Sequence, residues 1–111
     1  MSPYFIDKDT PWTPVEPGIT RKIVGHTPEL LAAVVKFEQG AIGSPHHHEV
    51  HDQIAYVLAG AFECEVNGEK RVLRAGDAFV AAKHVRHGVV ALEPGSLLLD
   101  LFSPRRDDFV A

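Results

Sequence analysis

Four side chains in this sequence have the types and spacing to bind a divalent metal. His46 and His48 are two residues apart, Gln53 follows five later, and His87 ends a glycine-led block at 76–87. On a β-strand, a spacing of two points both rings to one face. Gln53 is an odd number from His48, so a kink or bulge across residues 49–52 is needed to bring it there. His87 is distant in sequence and must arrive by strand pairing. Neutral imidazole is the commonest metal ligand. Three imidazoles with one amide oxygen suit a borderline ion such as Zn, Ni, Fe, Mn or Co, one per chain. The competing reading is a solvated histidine-rich loop. His47 and His51 fit that reading better, because they alternate away from the His46/His48 face.

The chain that must position these groups has 111 residues, enough for one domain with a core but not two. Its net charge of −4 lacks the basic footprint of nucleic-acid binding. No apolar run approaches a membrane span. The opening MSPYFIDKDT lacks a basic segment followed by an apolar stretch, so no secretory signal is expected. A single cysteine, Cys64, rules out an internal disulfide framework and fits the cytoplasm. It alternates with Phe62 and Val66, so it reads as a buried core thiol rather than a nucleophile.

Prolines at 3, 11, 14 and 17 exclude a long helix near the start. Residues 1–29 are expected to form an extended arm, with Trp12 as an anchor on the body or a second subunit, and residues 30–111 the main domain. Strand-like runs begin at Arg21. The run 30–37 (LLAAVVKF) is a buried strand by length, although periodicity alone does not separate it from a helix. Residues 54–59 form another. Phe62, Cys64 and Val66 alternate with Glu63, Glu65 and Asn67, which puts one face inward. Asn67-Gly68 is a hairpin turn signal, and strands at 70–74, 78–82, 88–92 and 97–102 follow. Short strands at this spacing predict an all-β barrel or sandwich.

On the last strand, Leu98, Asp100 and Phe102 share a face. If that face lines a barrel, Asp100 is desolvated and its pKa raised, as a general acid or base requires. The alternative is a surface Asp paired with an Arg. Arg105 or Arg106 can reach back to grip a carboxylate by a bidentate pair, or can simply aid solubility.

Gly40, His46, His48, Gln53 and Gly60 resemble the first motif of the cupin superfamily, with Gln53 where Glu is usual. The second motif survives as Gly76-Asp77 and His87; its usual proline falls on Ala82, and its later Gly and Asn fall on His84 and Ala91. The resemblance implies a jelly-roll-like antiparallel β-barrel and, by analogy, a homodimer. With Gln53, all four ligands are neutral and a bound ion keeps its full charge, favouring an anionic ligand such as a carboxylate.

The segment HEVHDQIAYVLAGAFECEVNGEKRVLRAGDAF, the pair His87-Gly88 and the stretch DLFSPRRDDF are similar to the single-domain cupins of the KdgF family. That resemblance implies metal binding by His46, His48, Gln53 and His87. It also implies an active site completed by Asp100 and Arg106 as catalytic groups, with Phe102 and Arg106 binding substrate. The implied reaction opens 4,5-unsaturated uronates released by pectate and alginate lyases to linear 4-deoxy-5-keto uronates. Residues 81–86 depart from a more proline-rich run, which bears on substrate range. Other cupin readings are a dioxygenase, a sugar isomerase, an enzyme acting on another small carboxylate, or a non-catalytic carbohydrate or metabolite binder.

Overall fold

Leu31, Ala33, Val35 and Phe37 are buried while the residues between them are only partly so. This two-residue period marks residues 30–37 as a strand. Hydrogen-bonded neighbours on both sides satisfy its backbone, which resolves the ambiguity with a helix.

A computed structural model describes residues 2–110. It contains ten strands: β1 (Thr13–Glu16), β2 (Ile19–Thr27), β3 (Leu30–Phe37), β4 (Ile42–His46), β5 (Asp52–Ala59), β6 (Ala61–Val66), β7 (Glu69–Arg74), β8 (Ala78–Ala81), β9 (His87–Ala91) and β10 (Ser96–Ser103). A one-turn helix, α1 (Asp107–Val110), follows. The strands form two sheets, ordered β1-β2-β3-β10-β5-β8 and β4-β9-β6-β7. Every pairing is antiparallel. Among the described residues no ladder joins the two sheets, so the expected barrel is a jelly roll closed by side-chain packing rather than by a continuous ring of hydrogen bonds.

The Asn67-Gly68 turn forms where the sequence predicts it. Asn67 and Gly68 have φ of 50° and 85°, the geometry that joins β6 to β7. Gly60, between β5 and β6, has φ 77°, and a Cβ there would lie 2.2 Å from Ser96 Oγ. Only glycine fits.

The segment read as an arm, residues 1–29, contributes two strands to the larger sheet. β2 pairs with β3 from Ile19 to Thr27. Ahead of it, Trp12 is half-buried beneath Lys22 and Lys36, whose ammonium groups stand 4.7 and 4.4 Å from its ring centroid. Lys22 is buried, and it donates to the Asp7 carboxylate and carbonyl at 2.9 and 2.8 Å.

The main core joins both sheets through Phe37, Val57, Phe62, Cys64 and Leu98. Phe37 and Phe62 meet edge to face, with centroids 5.1 Å apart. A second cluster, built from Leu31, Ala33 and Phe102 with Phe109 and Val110 of α1 packed on it, lies further along the same strands.

Candidate metal centre and active site

His46 and His87 are direct cross-strand partners at the end of the β4–β9 ladder. The register shifts between Gly43 and His46. Gly88 allows β4 to approach this closely, since a Cβ there would stand 2.9 Å from the backbone of Pro45. His46 Nδ1 donates to the Ser44 carbonyl at 2.8 Å, and His87 Nδ1 to the Val85 carbonyl at 2.9 Å. A carbonyl can only accept, so both rings carry their proton on Nδ1 and present a bare Nε2. In His87 that Nε2 is buried and has no hydrogen-bond partner among the described residues.

His48 lies in the connection between β4 and β5, not on the strand. Its carbonyl accepts the His84 N–H at 2.8 Å, which ties this connection to the 82–86 loop. His84 has φ 71° and sits where the motif ordinarily has glycine, so the left-handed geometry persists with a side chain that tolerates it. One nitrogen from each of His46, His48 and His87 lies within 4.8 Å of the others. The orphaned lone pair of His87, the fixed tautomers and the convergence of the three rings fit a divalent transition metal.

Gln53 and Asp100 come from the facing sheet. His48 Nε2 and Gln53 Oε1 are 3.0 Å apart, and Gln53 Nε2 donates to Asp100 Oδ1 at 3.1 Å. The carboxylate takes the amide's donor end, so its oxygen points at the histidines. The expected kink is the break between β4 and β5, which lets Gln53 enter from a different sheet.

Burial pulls the His48 pKa down to about 4; the hydrogen bond to Gln53 opposes this, while Arg106 and the other two imidazoles reinforce it. Burial likewise lowers His87. Both rings are therefore neutral at neutral pH, the form that binds metal. Asp100 is half-buried as a residue, and its carboxyl is surrounded by protein. That burial raises its pKa to about 6, against the lowering effects of the Gln53 hydrogen bond and the Arg106 charge.

Phe102 is buried, edge-on to His48 at 5.6 Å between centroids. The Arg106 guanidinium carbon lies 5.1 Å from the Phe102 ring centroid. Arg105 turns away, bonding to Asp107 at 2.9 Å and His26 at 3.3 Å. His47 is exposed, as expected. His51 is not: it is half-buried, its ring 5.9 Å from that of His48, and its Nε2 bonds to the Arg105 carbonyl at 3.2 Å. Alternation failed for His51 because it lies outside any strand. Phe109 and Asp108, both in contact with Arg106, were not anticipated; a short Arg-Arg-Asp-Asp run reads as a solvated tail.

The family profile of the cupin domain matches residues 33–102. The chain is 54% identical over 110 residues to the pectin degradation protein KdgF of Dickeya dadantii, covering 99% of this chain and all of that one. Its structure is similar to that of KdgF from a Halomonas species, with TM-score 0.96 and 62% identity, covering 98% of this chain and 99% of that one. It is also similar to an RmlC-like cupin from Shewanella frigidimarina, with TM-score 0.92 and 38% identity, covering 98% and 96%. The chain belongs to the cupin superfamily and, within it, to the KdgF family of pectin degradation proteins.

Proposed function

We propose that this chain is a metal-dependent enzyme that opens the ring of 4,5-unsaturated uronate monosaccharides to give linear 4-deoxy-5-keto uronates. The observation that carries this reading is the buried Asp100 carboxyl, bonded through Gln53 to the edge of a three-histidine cluster. Full-length identity to a pectin degradation protein supports the substrate class.

His46, His48, His87 and the Gln53 oxygen would hold one divalent transition metal. Held among neutral ligands, such an ion would supply Lewis acidity toward the oxygens of an anionic sugar. The reaction is an isomerisation: the anomeric hydroxyl loses a proton, the bond between C1 and the ring oxygen breaks to leave a C1 aldehyde, and the resulting enolate takes a proton at C4 to give the C5 ketone. Asp100 moves a proton in this sequence, for which its raised pKa of about 6 suits it. Arg106 grips the substrate carboxylate. Phe102 packs against the sugar and helps exclude water.

The outer face of the larger sheet exposes Leu30, Ile54, Tyr56, Val80 and Leu101. This patch supports a homodimer paired through that face. No helix among the described residues is long and apolar enough to cross a membrane. The free, buried Cys64 supports a cytoplasmic location.

The test is the loss of conjugated double-bond ultraviolet absorbance of 4,5-unsaturated galacturonate, measured against its spontaneous decay. Acceleration that a chelator abolishes and added metal restores is the expected result. A metal-loaded protein giving no acceleration would leave a KdgF-family cupin with a different substrate.

A further inference from the structure

A guanidinium has two edges that can grip a carboxylate, and in Arg106 one of them is already taken. Nε donates to Asp108 Oδ1 at 3.0 Å and a terminal nitrogen donates to Asp108 Oδ2 at 2.8 Å. The other terminal nitrogen, Nη1, makes no hydrogen bond among the described residues. The group also packs on two rings: its carbon lies 5.1 Å from the Phe102 centroid and 4.3 Å from that of Phe109, and the rings themselves meet edge to face at 5.6 Å. Phe109 is in turn stacked by Arg21 at 3.8 Å and packs on the cluster of Leu31, Ala33 and Phe102.

The preceding pair of residues shows the difference. Arg105 and Asp107 have the same spacing, but they share one contact at 2.9 Å, and Arg105 also reaches His26. The Arg106 side chain is only 19% exposed, and it is bidentate. Arg105 is 29% exposed and its carboxylate contact is single, which orders little, whereas a planar fork tied along one edge by two bonds and packed on two rings is confined in both position and plane.

We propose that Asp108 is a positioning residue. It ties the Nε edge of Arg106 so that the opposite edge, Nη1 with the remaining Nη2 proton, is presented to the carboxylate of the substrate. The one-turn helix α1 is thereby part of the substrate-binding apparatus, with Phe109 as its anchor. This rests on the carboxylate-clamp role given to Arg106 above. Were Asp108 instead an internal competitor for the clamp, removing its charge would tighten substrate binding.

Two measurements decide it. In steady-state kinetics on unsaturated galacturonate, Asp108→Asn is expected to raise KM about tenfold with kcat within about twofold. In an Arg106→Ala background the same change is expected to have no further effect. A lowered KM, an unchanged KM, or an effect that simply adds to that of Arg106→Ala would overturn the proposal. Asp107→Asn serves as the matched control and is expected to leave KM unchanged.

The second readout does not depend on turnover. In nitrogen–proton NMR of the metal-loaded protein, the Arg106 Nε–H is expected to exchange slowly with water in the wild type and rapidly in Asp108→Asn. Adding D-galacturonate, which has no double bond to react, is expected to shift the Arg106 side-chain signals at about tenfold lower concentration in the wild type than in Asp108→Asn. Fast exchange in the wild type, or shifts at equal concentration in both proteins, would overturn the proposal. If these signals behave as expected but unsaturated galacturonate is not turned over, the substrate assignment fails and the positioning role stands.

Discussion

The two ends of the jelly-roll interior are built on the same strands and do opposite things. On β10, Leu98 and Asp100 point to one face a single pleat apart. Leu98 belongs to the apolar core with Phe37, Val57 and Phe62, while Asp100 faces Gln53 and the histidines. On β5, Val57 and Gln53 divide in the same way. Antiparallel strands supply one continuous inward face, and the residue types along it change from those that drive folding to those that carry chemistry. The lower end stabilises by excluding water, whereas the upper end keeps polar groups buried and partly unpaired. His87 Nε2 is the clearest case.

Breaking the upper end should abolish metal binding without unfolding the protein. His87→Ala is expected to reduce bound metal from near one per chain to near zero, by elemental analysis after dialysis, with stability no lower than that of the metal-free parent. Loss of the folded state in that variant would show that the two ends are not separable.

Asp100→Asn should keep the metal and lose the chemistry. A fall in kcat of roughly 10²- to 10⁴-fold is expected, the range for removing a general acid or base. Full activity would remove the proton-transfer role.

Phe62→Ala attacks the lower end. A loss of about 3–5 kcal/mol is expected from urea unfolding, because Phe62 is fully buried against Phe37. Metal content at temperatures where the variant is folded should be unchanged.

Gly88→Ala probes the seam between the ends. Its Cβ would press on the Pro45 backbone beside two ligands. A cost of about 1–3 kcal/mol is expected, together with weaker metal binding measured by chelator competition. The smallest effect should come from Cys64. Burial raises its thiol pKa to about 11, so it should not react with a disulfide reagent at pH 8 until the protein is unfolded.

Much of this was legible in the residues. Alternation at Phe62, Cys64 and Val66, the Asn67-Gly68 turn and the spacing of short strands marked an all-β chain, because these signals are local. The pair His46/His48 and the separate His87 were legible as candidate ligands by type, and Leu98, Asp100 and Phe102 as one face of a strand. The reading of residues 1–29 as an arm was too coarse. The prolines are real breakers, but β2 begins directly after them, and only its pairing with β3 shows that it belongs to the sheet.

What the sequence determined by itself is the set of elements and the chemical types available, since both follow from short-range periodicity and side-chain identity. Which groups meet was decided by tertiary structure. The His46–His87 pairing, the meeting of Gln53 with Asp100 and the inward turn of His51 all depend on contacts between residues remote in sequence. No local pattern encodes such contacts, because they arise only when distant strands pair and the two sheets pack face to face.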